Sequence, residues 1–236
     1  MYQRETGLQK QMTTMIRKFL ILMLLSIPFM ASFSRDDDFG IWYNASTGFR
    51  IIRGIELDLE GSLRTFNNAS KIEEGFLETG LNFKLTDYLS LGAAYRFGEN
   101  IEDDDKFHIR HKWFVDARVK LPLRDLEFSG RVRFQQRYKT YFEDKNDREP
   151  KEHIRLRIRA LYDIPSFPLN PYLTSELFLP VFDHVKRTVD KQRFAAGIEY
   201  NLLKKHSIDL EYIFQRDFFP DLMDMNIISV NYSFKF

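Results

Sequence analysis

Hydrophobic and polar side chains alternate along most of this chain, segment after segment, without a helical period. In Gly54–Phe66, for example, Ile55 and Leu57 fall on one face, whereas Glu56 and Asp58 fall on the other. A period of two places successive side chains on opposite faces of a β-strand. The alternation therefore predicts an all-β protein. The ten predicted strands cover residues 54–66, 77–85, 89–97, 107–121, 126–141, 154–163, 171–182, 193–200, 208–215 and 225–236.

The connections between the predicted strands alternate in length. Short turns are expected at Asp87, Pro122–Asp125 and Leu203–His206, with a looser connection at 164–170. Longer polar loops are expected at 67–74, 98–106, 143–150, 183–190 and 217–224. Short turns at one end and long loops at the other are typical of outer-membrane barrels. The pattern predicts an antiparallel transmembrane β-barrel of about 10–12 strands.

The segment Phe39–Phe49 also has the pattern of a strand, but its place in such a barrel is ambiguous. With ten strands, the chain enters and leaves the barrel on the same side of the membrane. An additional strand before them would have to run down into the first turn. The segment could be a half-strand added to the sheet or could be tucked inside the barrel. The number of strands does not decide between these two interpretations.

The character of the two strand faces indicates which one lies inside. One face is bulky and apolar, and the other is crowded with long arginine and glutamate side chains. Aromatic residues near the strand ends suit the interfacial girdles of a membrane barrel. Those aromatic residues are Trp42, Trp113, Tyr138, Tyr141, Phe142, Tyr162, Phe182 and Tyr200. We expect the apolar face to contact lipid; the alternative is a soluble periplasmic lipid-binding barrel with the apolar face inside.

The N-terminus has the features of a secretory signal peptide. Arg17 and Lys18 precede the apolar run Phe19–Ile27, and Ser32 and Ser34 are the small residues that suit cleavage after Ser34. This run is too short for a membrane-spanning helix, which needs about 20 residues. We therefore expect three parts: upstream residues and signal peptide at 1–34, an N-terminal segment or first strand at 35–53, and the barrel at 54–236. The expected location is the outer membrane of a Gram-negative bacterium.

The composition limits the partners and cofactors of the protein. The chain carries 35 Lys and Arg against 34 Asp and Glu and contains no cysteine. This balance argues against a nucleic-acid partner, which requires a strongly basic surface. No zinc spacing or nucleotide motif is present, and the acidic segment Glu99–Asp105 lacks the glycine and spacing of an EF-hand. We expect no cofactor and no metal site, with outer-membrane lipids surrounding the barrel.

The last strand, MNIISVNYSFKF, ends on an aromatic residue. An amphipathic final strand with a terminal phenylalanine resembles the strand that the barrel assembly machinery is understood to recognise. Tyr232, Phe234 and Phe236 are therefore the expected assembly signal, and that machinery is the expected protein partner. The oligomeric state stays open.

Several motifs resemble the DUF2490 family of uncharacterised outer-membrane β-barrels. They are Phe39–Tyr43, the arginine-rich segments Arg131–Arg137 and Arg155–Arg159, Glu176-Leu-Phe, Arg193 with Gly197 and Tyr200, and Tyr212 with Gln215. The resemblance covers nearly all of the expected mature chain. It implies the same barrel fold, and it brings no established activity.

The polar face of the strands carries the strongest candidate site. Its charged residues are Arg118, Arg131, Arg133, Arg137, Arg155, Arg157, Arg159 and Arg193, with Glu56, Glu60, Glu78, Glu176, Glu199 and Glu211. One interpretation is a pore whose basic wall attracts anionic solutes. The other is a closed lumen in which guanidinium and carboxylate groups pair, since barrels of about eight strands are already filled by side chains. The expected role is a structural barrel or a small-solute channel.

A lipid-modifying enzyme of the acyl-hydrolase type is the alternative from another class. Its chemistry needs a histidine and a serine in contact, with a third group orienting the imidazole. The histidines are His108, His111, His153, His184 and His206, and Ser70 is the serine in a clearly external loop. No serine shares the predicted rim with the histidines, so we expect no catalytic residues.

Overall fold

A computed structural model describes residues 37–102, 104–142, 150–181, 188–203, 205–218 and 222–236. The predicted signal peptide and most of the predicted loops 143–150 and 183–190 lie outside the described residues. Within the described part of the chain, no helix is long and apolar enough to span a membrane.

Eleven β-strands form one closed barrel, which confirms the predicted fold class. The strands are β1 Asp37–Ile52, β2 Ile55–Phe66, β3 Lys71–Lys84, β4 Leu89–Ile101, β5 Phe107–Leu123, β6 Leu126–Lys139, β7 Lys151–Tyr162, β8 Leu169–Val181, β9 Lys191–Leu203, β10 His206–Asp217 and β11 Met223–Lys235. Each strand from β2 to β10 pairs in antiparallel fashion with the next one along the chain. Consecutive strands from β2 to β11 can therefore be joined by hairpin connections.

The first strand closes the barrel. β1 pairs with β2 in antiparallel fashion and with β11 in parallel, so that Asp37 lies beside Asp224 and Gly48 beside Lys235. An odd number of alternating strands forces one parallel pair, because the first and last strands then run in the same direction. The segment Phe39–Phe49 is thus a full strand of the wall and is not tucked inside. The barrel is consequently mixed, with one parallel seam.

The two ends of the barrel differ in their connections. We call the end with the β1–β2, β3–β4, β5–β6, β7–β8 and β9–β10 connections, together with Phe236, the turn end, and the opposite one the loop end. Three predicted long loops are shorter than expected, and one of them, 217–224, reduces to 218–222. β3 begins at Lys71, so the loop predicted at 67–74 is only 67–70, and β4 continues to Ile101, so 98–106 reduces to 102–106. Strand pairing extends into polar sequence at the loop end because backbone hydrogen bonds do not require apolar side chains.

The apolar strand face forms the outer surface of the barrel. Leu77 and Ile158 are 70% and 67% exposed, whereas the charged side chains of Glu176 and Arg133 are buried. Two aromatic residues assigned to the outer girdle by sequence are wrong in phase: Trp42 and Tyr162 are only 6% and 5% exposed. Trp42 shares its strand face with the buried Gly40, and both are therefore turned inward.

Candidate functional site

A cavity of about 2830 Å³ runs along the inside of the barrel. Its lining includes Arg53 and Lys84 from the turn end and Arg110 and Asp217 from the loop end. Among the described residues, 17 lysine and arginine side chains line it, against ten aspartate and glutamate side chains. The cavity is therefore rich in positive charge, although the whole chain is close to neutral.

The basic wall of the cavity is formed by Arg118, Arg131, Arg133 and Arg155 on β5, β6 and β7. The Nε and Nη2 atoms of Arg133 donate to Asp116 Oδ2 at 3.0 and 2.6 Å, and Arg118 Nε lies 2.8 Å from Asp116 Oδ1. Sequence reasoning missed Asp116 as the partner of two arginines. One buried carboxylate therefore fixes two neighbouring guanidinium groups.

A second carboxylate organises the remaining part of the basic wall. Glu176 Oε1 accepts from Arg131 Nη2 at 2.7 Å, and its Oε2 accepts from Arg155 Nη2 at 2.8 Å. The Glu176 side chain is almost fully buried. Both of its oxygens are thus engaged by cations.

The acidic wall of the cavity lies on β2 and β3, separated from the basic wall by β4. It consists of Glu56, Asp58, Glu60 and Glu78, and Glu60 lies directly across from Glu78 in the strand register. Arg96 on β4 donates its Nε to Glu78 Oε2 at 2.8 Å. The cavity therefore carries charge of opposite sign on two parts of its circumference.

A stack of alternating guanidinium groups and aromatic rings crosses the interior from β4 to β7. We call it the arginine–aromatic arch; in spatial order it contains Arg96, Phe76, Arg64, Trp42, Arg193, Phe178 and Arg155. The distances from guanidinium carbon to ring centroid range from 3.4 Å for Arg96 over Phe76 to 5.0 Å for Arg64 over Phe76. Cation–π attraction holds such stacks together. The aromatic rings of the arch lie at strand positions that share a face with the polar residues, and this pattern is visible in the sequence.

The interior is closely packed around Tyr172 on β8 and around Ile227 on β11, although other residues of these strands line the cavity. The Tyr172 hydroxyl donates to both oxygens of Asp209 at 2.8 and 2.9 Å. The ring of Tyr172 lies against Gly197, where a Cβ atom would collide with it. An apolar cluster of Trp42, Ile213, Met225 and Ile227 fills the adjoining region. The cavity is therefore lined by fewer residues from β8, β9 and β10 than from the other strands.

The structure divides the sequence-predicted lumen residues into two groups. Those that line the cavity are Arg118, Arg131, Arg133, Arg137, Arg155, Arg193, Glu56, Glu60 and Glu78. Those that do not are Arg157, Arg159, Glu176, Glu199 and Glu211. Arg159 instead pairs with Glu199 at 3.3 Å and stacks on Tyr172 at 3.8 Å. A role of either group in solute passage stays a prediction.

The predicted assembly-signal residues lie together on the outside of the turn end. The ring of Phe236 stacks on Phe49 of β1 at 4.4 Å and contacts Phe234 edge-on at 4.5 Å. Tyr232 bonds through its hydroxyl to Nδ1 of His206 at 2.7 Å. The cluster bridges the parallel seam, but its recognition by other proteins stays a prediction.

The described histidines bind acids or tyrosines. His108 Nε2 lies 3.0 Å from both Asp104 oxygens, and this hydrogen bond lowers the pKa of Asp104 below its usual value. His153 bonds to Asp190 at 2.7 Å, and His111 to the Tyr95 hydroxyl at 2.5 Å. His184 lies outside the described residues. None of the described histidines hydrogen-bonds a serine, and the same part of the chain holds no cluster of acidic and histidine residues suited to a metal.

Comparison with known proteins gives one family. The model for DUF2490, described as a protein of unknown function, matches residues 39–226. The chain belongs to this family. Its matched range begins inside β1 and ends inside β11, so the DUF2490 region spans every strand of the barrel. No curated protein matches the chain.

Several solved β-barrels are similar to this DUF2490 protein. The NanC porin has 16% identity and a TM-score of 0.49, with 75% of this chain and 86% of that chain covered. The β-domain of the Bordetella autotransporter Brka has 12% identity and a TM-score of 0.44, with 71% and 79% covered. The anion-selective porin from Comamonas acidovorans has 9% identity and a TM-score of 0.38, with 73% and 48% covered.

Proposed function

We propose that this protein is an integral outer-membrane barrel that forms a channel for small anionic solutes. The observation that carries the proposal is the cavity of about 2830 Å³, which is lined from both barrel ends and has more cationic than anionic side chains. Fixed cationic groups along a narrow passage attract anions and repel cations.

The outer surface supports a location in a lipid bilayer. Large apolar side chains are exposed on every strand except β8, among them Leu81, Leu91, Val115, Val132 and Ile198. Soluble monomers rarely expose continuous apolar patches beyond a few hundred Å². A soluble lipid-carrier barrel has the opposite arrangement, with apolar side chains inside. The predicted signal peptide supports export. The exposed apolar side chains on the outer surface support insertion of the closed barrel into a membrane.

The experiment that tests the channel is a conductance recording of the refolded protein in a planar lipid bilayer. We expect discrete current steps in KCl solution, since the cavity is lined from both ends. A preparation that shows the heat-modifiable gel migration of a folded barrel yet stays electrically silent would contradict the channel. That result would favour the structural role of a packed barrel.

The location is tested separately by fractionation of cells that express the full chain. We expect the protein in the outer-membrane fraction and resistant to carbonate extraction. Recovery in the soluble periplasmic fraction would contradict the membrane location.

A further inference from the structure

We propose that Arg193 binds the carboxylate group of the solute within the arginine–aromatic arch. The inference rests on the proposed channel and names the chemical class that it takes: small organic anions with a carboxylate group. The four arginines in the arch differ in whether a carboxylate of the protein contacts them.

Three of the four arginines in the arch each have a carboxylate partner. Arg64 Nη1 lies 2.9 Å from Glu74 Oε2, and Arg96 Nη2 lies 2.7 Å from Glu78 Oε2. Arg155 Nη2 lies 2.8 Å from Glu176 Oε2. Each of these three guanidinium groups therefore has a carboxylate of the protein in direct contact.

Arg193 is the exception. Among the described residues, its hydrogen-bond acceptor is the neutral amide of Gln215, which accepts from Nε at 2.8 Å. The nearby acids are engaged elsewhere, because Glu176 holds Arg131 and Arg155, and Asp217 pairs with Lys191 at 2.9 Å. No carboxylate in the described part of the chain forms an ion pair with Arg193. This guanidinium group lines the cavity without a carboxylate in contact, and Glu176 and Asp217 act on its charge only from a distance.

The surroundings of Arg193 define how an anion can approach. The rings of Trp42 and Phe178 lie 4.9 Å from its Cζ atom, and Gln215 occupies its Nε side. The two terminal nitrogens remain as donors. A planar guanidinium edge forms two parallel hydrogen bonds with a carboxylate. Trp42 adds a buried Nε1 donor without a partner in the same arch.

Trp42 provides a direct readout of this site. The chain has two tryptophans, and Trp113 is on the outer face, so a Trp113→Phe background leaves Trp42 as the single fluorophore. The probe is sodium gluconate, a small monocarboxylate, added to the refolded full barrel in detergent. Sorbitol, which lacks the carboxylate, is the neutral comparison. We expect a saturable change in Trp42 fluorescence with gluconate and none with sorbitol.

The variants assign the signal to Arg193. In the same background, we expect Arg193→Gln to weaken gluconate binding about tenfold, the loss expected for charge-assisted hydrogen bonds. Arg53→Gln removes an equal charge from the turn end of the same cavity, and we expect less than about a twofold change, since that exposed site is screened. Equal losses in both variants, or an unchanged affinity in Arg193→Gln, would overturn the proposal.

Arg193→Lys covers the case in which the glutamine variant does not refold. An ammonium group keeps the charge but cannot form the parallel pair of hydrogen bonds, so we expect a loss of about threefold. Wild-type affinity in this variant would overturn the proposal, as would the absence of saturable gluconate binding in the parent protein. The fluorescence signal does not depend on conduction. Gluconate binding without any current would therefore contradict the channel but would still support the carboxylate site at Arg193.

Discussion

At the scale of single residues, the interior depends on a few carboxylates that each hold more than one cation. Glu176 is the clearest case, since its two oxygens accept from Arg131 and Arg155 and its side chain is only 6% exposed. Removing one member of a buried ion cluster leaves charges without compensation, which costs more than the cluster contributes. Surface pairs behave differently because water and salt screen them.

Glu176→Gln should therefore destabilise the barrel strongly. Without the carboxylate, Arg131 and Arg155 lose their common anion, and the expected loss in free energy of unfolding is about 3–5 kcal/mol. The measurement is a urea titration of the refolded protein followed by tryptophan fluorescence. Glu127→Gln is the matched control, because its partner Lys120 is 62% exposed and less than about 1 kcal/mol is expected. Similar losses in the two variants would contradict the assigned role of Glu176.

At the scale of strands, the parallel seam between β1 and β11 is the unusual element. The backbone N–H of Phe236 donates to the carbonyl of Gly48 at 3.1 Å, and its ring stacks on Phe49. The last residue thus contacts the first strand on the outside of the turn end. Closure of the barrel pairs β1 with β11, although nearly the whole sequence separates these two strands. The C-terminal phenylalanine is consequently part of the closure itself.

Replacing Phe236 with Glu should lower the amount of assembled barrel. The substitution removes the stack on Phe49 and places a charge on the apolar outer surface. Leu123→Glu is the control, because Leu123 is also an exposed apolar residue at the turn end and lies outside the seam. The measurement is the heat-modifiable fraction in outer membranes at equal synthesis. Equal assembly of Phe236→Glu and wild type would refute the predicted role of the last strand.

Some of the fold and site could be predicted from the sequence because strand alternation is a local property. The phase of Arg131, Arg133 and Arg155 follows from their immediate neighbours, and these residues lie on the inner face as the alternation requires. The place of β1 could not be predicted, because it depends on pairing with β11 at the other end of the sequence. Trp42 was misassigned because position near a strand end was given more weight than phase.

The partners of the inner charges were equally beyond the sequence. Arg133 pairs with Asp116, which is not among the charged residues singled out from the sequence. Which carboxylate meets which guanidinium depends on the register and curvature of the closed barrel, and these are global properties. The arginine–aromatic arch has the same origin, because its members come from strands β1, β2, β3, β4, β7, β8 and β9.

At the scale of the whole molecule, the barrel has an apolar exterior and a cation-rich cavity. Acidic side chains on β2 and β3 and basic ones on β5–β7 make the cavity electrically asymmetric. The balance of 17 cationic to ten anionic lining residues sets the expected sign of selectivity. Arg50 is suited to test it, since it lines the cavity and has no ion-pair partner among the described residues.

The most direct measurement is the reversal potential of the refolded protein in a planar bilayer under a KCl gradient. We expect its sign to show that chloride is more permeant than potassium, and Arg50→Gln to move the potential toward zero because one lining cation is removed. The matched control is Lys71→Gln, a mostly exposed loop-end lysine outside the cavity lining, which should leave the potential unchanged. A potential of the opposite sign, showing preference for potassium, would contradict the account.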